Sequence, residues 1–226
     1  RLLTNQTFRD LYRTDTLDVD QRLGITSLTF LFTDLKGSTE LYERVGDLEA
    51  FELVKAHFRT LNEVVAMNAG AVVKTIGDAV MATFPTPDRA LSAALRMREA
   101  MRELNDRRGH EDLLLKIGIH EGPCLAVTLN DRLDYFGQTV NIAARVQGLA
   151  TSSSIFATRP VVEHPASAQV LGQAGCEALA QRIALRGIAG EVAVYEIPWE
   201  GGAGAGGGGG GPGPRRRPPP PPPQEG

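Results

Sequence analysis

Residues 71–84 read AVVKTIGDAVMATF, two six-residue runs rich in β-formers and separated only by Gly77-Asp78. Two residues between such runs, one of them Gly, mark a tight hairpin. Upstream, SLTFLFTD (27–34) is an apolar run that predicts a buried strand stopping at Asp34. In this order the hairpin is expected beside that strand, with Asp34 and Asp78 at one end of a shared sheet.

Working outward, Gly37-Ser38-Thr39 starts a helix, and Asp47 to Ala69 is helical. There Phe51, Val54, Phe58, Leu61 and Val65 recur at spacings of three and four and predict one apolar stripe. Gly70 is expected to close that helix. Pro87 sits near the start of a second long helix to about Arg108, with Ala90, Ala94, Met97, Met101 and Leu104 as its core stripe. LLLKIGIH (113–120) and PCLAVTL (123–129) read as a second pair of strands around Glu121-Gly122. A helix over about 137–149, a strand SSIFA (153–157), a mixed stretch and EVAVYEI (191–197) complete the order. The pattern predicts an α+β fold, with helices on one side of a mostly antiparallel sheet. No internal repeat of 20–50 residues is visible.

The ends differ from this middle. Residues 1–24 are polar and mixed, with a short amphipathic pattern around Phe8, Leu11 and Tyr12, and are read as a linker or packing segment. Residues 201–226 carry 11 of the 25 glycines and 8 of the 14 prolines. Polyglycine buries no apolar surface and oligoproline is extended and solvated, so a disordered tail is expected. The folded unit is therefore taken as 25–200. Without the tail, 21 Lys and Arg face 26 Asp and Glu. That acidic balance argues against a nucleic-acid partner. Cys124 and Cys176 are too few for a disulfide scaffold or zinc site, which fits reduced thiols in the cytoplasm. No apolar run reaches the roughly 18–20 residues that cross a bilayer. The chain opens on Arg1 rather than Met, and a fragment or processed product is expected.

Paired carboxylates at one sheet end repel unless a cation lies between them, and magnesium shared with substrate phosphates is a natural occupant. The following LKGST leads backbone N–H groups into a helix start, a good place for phosphate oxygens. Asp at strand ends and hairpin tips is also ordinary turn chemistry, so the two readings stand side by side. Lys74, inside an apolar strand, must pair, snorkel or meet a ligand. Asn141 and Arg145 are four apart and share a helix face, which suits a sugar and a phosphate or a plain exposed surface. His57, His110, His120 and His164 are scattered and read as packing or surface residues. Tyr135 and Phe136 read as packing that sets Asp134.

FTDLKGST, KTIGDAVMATF, KIGIHEGP and LDYFGQTVNIAARV, in this order, resemble the catalytic domain of class III adenylate and guanylate cyclases. The resemblance covers residues 27–197, and the 44-residue separation of the two aspartates matches as well. It implies a palm-type, ferredoxin-like fold and conversion of ATP to cyclic AMP with two divalent ions, Mg2+ or Mn2+. By the same resemblance, Asp34, Asp78 and the Leu35 carbonyl hold metal, and Lys74 and Asp134 select adenine. Asn141 orients the ribose, Arg145 meets the α-phosphate in the transition state, and Arg186 lies on the terminal phosphates. Guanylate cyclases place Glu and a small residue such as Cys where Lys74 and Asp134 stand. The resemblance further implies a head-to-tail homodimer with sites split between chains. LYERVGD, VKTIGDAVMATF and LDYFGQTVN resemble bacterial cyclases with a further domain upstream. The alternatives are a guanylate cyclase and a silent nucleotide-binding module of the same fold.

Overall fold

The computed structural model describes residues 22–110, 113–129, 132–151 and 154–198. Both the Phe8–Tyr12 pattern and the Gly/Pro tail lie outside the described residues.

β1 (Arg22–Lys36) begins the described chain, so residues 22–24 belong to the sheet rather than to a linker. After it come α1 (Ser38–Val45), α2 (Asp47–Met67), β2 (Ala71–Ile76), β3 (Ala79–Phe84) and α3 (Pro87–Arg108). β4 (Leu114–Leu129), β5 (Arg132–Phe136), α4 (Gln138–Leu149) and β6 (Ser154–Thr158) follow. The chain then passes α5 (Arg159–Val162), α6 (Pro165–Ala174), β7 (Leu179–Ala184) and β8 (Glu191–Pro198). The sheet order is β2-β3-β1-β4-β6-β8-β7, with β5 added to β4. Only β4 and β6 run parallel among the described pairs, so the mostly antiparallel expectation holds. The hairpin lies beside β1 as expected, with Thr33 opposite Val80.

Helices cover both faces rather than one. α2 and α3 pack on Leu31, Leu35, Val80, Ile117 and Ile119. α4 packs on the other face, where Phe30, Phe32 and Met81 meet Ala143. The cause is visible in β1, whose residues of both parities are apolar, and a strand with two apolar faces needs two covers.

Three local readings change. Leu114–Leu129 form one strand rather than a hairpin, since Glu121 and Gly122 pair with Thr29 and Leu28 of β1. Gly122 serves close approach, because a Cβ there would come within 2.8 Å of Thr139 Oγ1. On α2 the buried face is Ala50, Leu53, His57, Leu61, Val64 and Val65, so Leu61 and Val65 of the expected stripe hold, whereas Phe51 is 57% exposed. A histidine within the true stripe hid it from a count of apolar residues. Finally, the left-handed residue after α2 is Ala69, at φ 56°. Gly70 is needed because a Cβ would fall 2.5 Å from the Phe84 ring.

α4 sits directly on β4. A Cβ on Gly118 would lie 2.1 Å from the Gln147 nitrogen and 2.3 Å from its Cα, so no side chain can yield. Gly118→Ala should therefore destabilise the domain by about 1–3 kcal/mol through overpacking. Gly148→Ala, on α4 with nothing within 4 Å, should instead stabilise by about 0.5–1 kcal/mol. Urea unfolding of the two variants checks the opposite signs.

His120 is buried, with Nδ1 2.7 Å from Thr158 Oγ1, and burial lowers its pKa to about 4. Below about pH 6.5 the unfolded chain takes up a proton that the folded chain refuses, so stability falls on acidification until about pH 4. His120→Gln should flatten the slope between pH 6.5 and 4 by about 1 kcal/mol per pH unit. Unfolding midpoints measured across that range check it.

Candidate active site

Asp34 on β1 and Asp78 at the β2–β3 tip share one end of the sheet. Burial first, then the charge of Asp78, holds the Asp34 carboxyl above its usual range, while Lys116 and the Leu35 N–H act in the opposite direction. Lys116 is the residue directly opposite Asp34 on β4. The tip is pinned by the Val80 N–H, which donates to Thr33 Oγ1 at 3.2 Å. Asp78 Oδ2 is buried and has no hydrogen-bond partner among the described residues. Leu35 points into the core, so only its main chain is available to a ligand. Among the described residues no group of three or more His, Cys, Asp or Glu is placed to hold a metal. Two carboxylates completed by substrate oxygens remain a suitable set for Mg2+.

Lys74 and Asp134 meet directly, with Nζ 2.6 Å from Oδ2. The strand lysine thus has its pair, on an element 60 residues away. Asp134 Oδ1 also accepts from the Tyr135 N–H at 2.8 Å. Tyr135 packs edge-on against Phe30, ring centroids 5.6 Å apart, which ties β5 to β1 and supports its reading as packing. Phe136 is instead exposed. Lys74, Met81 and Phe32 line up across three strands, and Asp34 lies two residues beyond Phe32. Paired residues share a face of the sheet, so Lys74 and Asp34 are on the same side.

Asn141 and Arg145 are exposed on α4. A Cβ on Gly187 would lie 3.5 Å from the Arg145 guanidinium, so Arg145 rests over the turn that carries Arg186. Arg186 is exposed in that turn. Three chemical surfaces result: an acidic pair, a donor–acceptor pair, and Arg145 set over the turn that carries Arg186.

The adenylate and guanylate cyclase catalytic domain family matches the chain over residues 22–196. The chain belongs to that family. An adenylate cyclase of Anabaena cylindrica is 32% identical to this cyclase domain over 152 residues, covering 61% of this chain and 30% of the relative. The guanylate cyclase soluble subunit beta-2 of Homo sapiens is 30% identical over 131 residues, covering 54% of this chain and 21% of the relative. The cyclase domain thus spans about a third or less of these relatives' length. The crystal structure of the adenylyl cyclase CyaB from P. aeruginosa has a TM-score of 0.67 at 22% identity, covering 78% of this chain and 95% of that one. This likeness establishes a shared fold.

Sequence reasoning read His57 as a packing or surface residue, and packing holds, but its place beside Asp78 was not foreseen. It is fully buried on α2, with the Asp78 main chain and carboxylate beside its ring, and burial lowers its pKa to about 4. Its place in the i, i+3, i+4 series of α2 was the available signal. Gly118, which seats α4 and with it Asn141 and Arg145, had no signal beyond being a glycine inside a strand. No helix among the described residues is long and apolar enough to cross a membrane.

Proposed function

We propose that this domain is an adenylate cyclase that forms cyclic AMP and pyrophosphate from ATP, at sites shared by two head-to-tail copies. The Lys74–Asp134 pair carries the reading. Lysine only donates and ionised aspartate only accepts. Adenine offers an acceptor at N1 and a donor at its exocyclic amine, which matches lysine and aspartate in turn. Guanine in the same pose would turn an N–H toward the ammonium and a carbonyl toward the carboxylate. A site built to hydrogen-bond one base rejects the mismatched one strongly, because its polar groups are then left unpaired.

The acidic end suits divalent cations, Mg2+ or Mn2+. Asp34 is held above its usual pKa range and Asp78 Oδ2 lacks a partner, the condition of carboxylates awaiting a counter-charge. Asp34, Asp78 and the Leu35 carbonyl would hold the ions. Bound there, they would supply Lewis acidity to the ribose 3′-hydroxyl and charge neutralisation to the triphosphate. The protein's own part is positioning. Asn141 orients the ribose, Arg145 donates to the α-phosphate as charge develops, and Arg186 receives the terminal phosphates. In this reading each acidic pair works with the Lys74, Asp134, Asn141 and Arg145 of the other copy. Regulatory segments outside this chain belong to the same proposal.

The test measures cyclic nucleotide formed from ATP and from GTP, with Mg2+ or Mn2+, beside an Asp34→Ala control. Cyclic AMP from ATP, absent in the control, is the expected result. Preferential cyclic GMP would give the guanylate reading. No product from either nucleotide, in a protein shown to be dimeric, would leave a silent nucleotide-binding module.

A further inference from the structure

We propose that His57 is a positioning residue for Asp78, holding the β2–β3 tip from inside the core. This rests on the reading of Asp34 and Asp78 as a metal site. His57 is 0% exposed, and neither ring nitrogen has a hydrogen bond of ordinary geometry among the described residues. The Asp78 main chain and carboxylate lie beside the ring, and Asp78 Oδ2 is itself buried without a partner. His57 and Asp78 thus each keep a buried polar atom without a partner where α2 backs the hairpin.

Buried polar groups left unpaired cost stability. A leucine would fill the His57 position without that cost, so the core alone gives no reason for an imidazole. The reason lies with the neighbour. An imidazole N–H beside the tip can fix the Asp78 backbone and so hold the carboxylate where a cation can meet it. Outer groups of this kind orient the ligands of a metal site. The sheet side of the tip is already fixed by Thr33, and His57 fixes the helix side.

Mn2+ binding is read from the free-ion EPR signal, and unfolding is followed separately in metal-free protein. His57→Leu should weaken Mn2+ binding about tenfold while leaving the metal-free unfolding midpoint unchanged or raised. His57→Gln, which keeps a donor, should recover most of the affinity. A His57→Leu variant that binds Mn2+ like the parent, or that loses its metal-free fold, overturns the proposal. So does His57→Gln if it folds normally yet binds no better than His57→Leu. Asp34→Ala separates the two levels of the argument. If it too leaves Mn2+ binding unchanged, the metal-site reading fails. If it abolishes binding while His57→Leu does not weaken it, only the role of His57 is lost.

Discussion

Replacing Arg145 with alanine should lower kcat by a factor of about 10²–10³ and move KM for ATP only a few-fold. Among the described residues no carboxylate pairs with this arginine, so its charge is available to a substrate. Its seat is firm, since α4 rests on Gly118 backbone to backbone and the guanidinium lies over Gly187. A donor fixed before the reaction needs no rearrangement when charge develops on the α-phosphate, which is why the loss should fall on turnover. Exposed on α4, Arg145 contributes little to the core, and the unfolding midpoint should stay close to that of the parent. Equal losses in kcat and in ATP affinity would place the arginine in ground-state binding instead.

Asp34→Ala should reduce turnover by about 10³-fold or more, the equivalent of the several kcal/mol expected of a lost metal ligand. The metal-free protein should meanwhile become no less stable at pH 7, because burial and Asp78 already disfavour the Asp34 charge. Opposite movements of activity and stability separate a functional carboxylate from a structural one. Mixing Asp34→Ala with Asn141→Ala chains tests the shared site. Random pairing makes half the dimers mixed, each with one intact site, so about a quarter of the parent activity should return. A mixture that dimerises and stays inactive would put all the catalytic groups in one chain.

The hairpin, the helix from Pro87 and the closeness of Asp34 to Asp78 were legible because each depends on short-range chemistry. Periodicity, a two-residue turn and strand order were enough. The double covering of the sheet was also legible in principle, since in SLTFLFTD the apolar Phe30, Leu31 and Phe32 fall on both parities of the strand. Other features required tertiary contacts. Gly122 and Gly70 looked like turn and helix-end glycines, yet each is set by a neighbour far along the chain. The place of His57 in the buried stripe of α2 was masked by its polarity. The Lys74–Asp134 contact could be named only through a family likeness, because nothing local to AVVKTI or RLDYF points from one to the other. α5, α6 and β7 fell in the stretch read as mixed, where short elements leave little periodic signal.

β2 lies at the margin of the sheet, and AVVKTI carries a single charge, Lys74. A β-prone segment with an open backbone edge invites pairing with another molecule, and a lysine there is a common deterrent, as is the register shift between Val72 and Lys74. Beside the base-reading role proposed for it, Lys74 therefore also guards against fibre-like association. Lys74→Val would leave six uncharged, β-favouring residues on an open edge, the composition that drives cross-β stacking. Lys74→Glu keeps a charge and should stay dispersed. Engineering base preference at this position thus has a colloidal constraint as well as a chemical one, and charged replacements are the ones whose activity can be read without first removing aggregates.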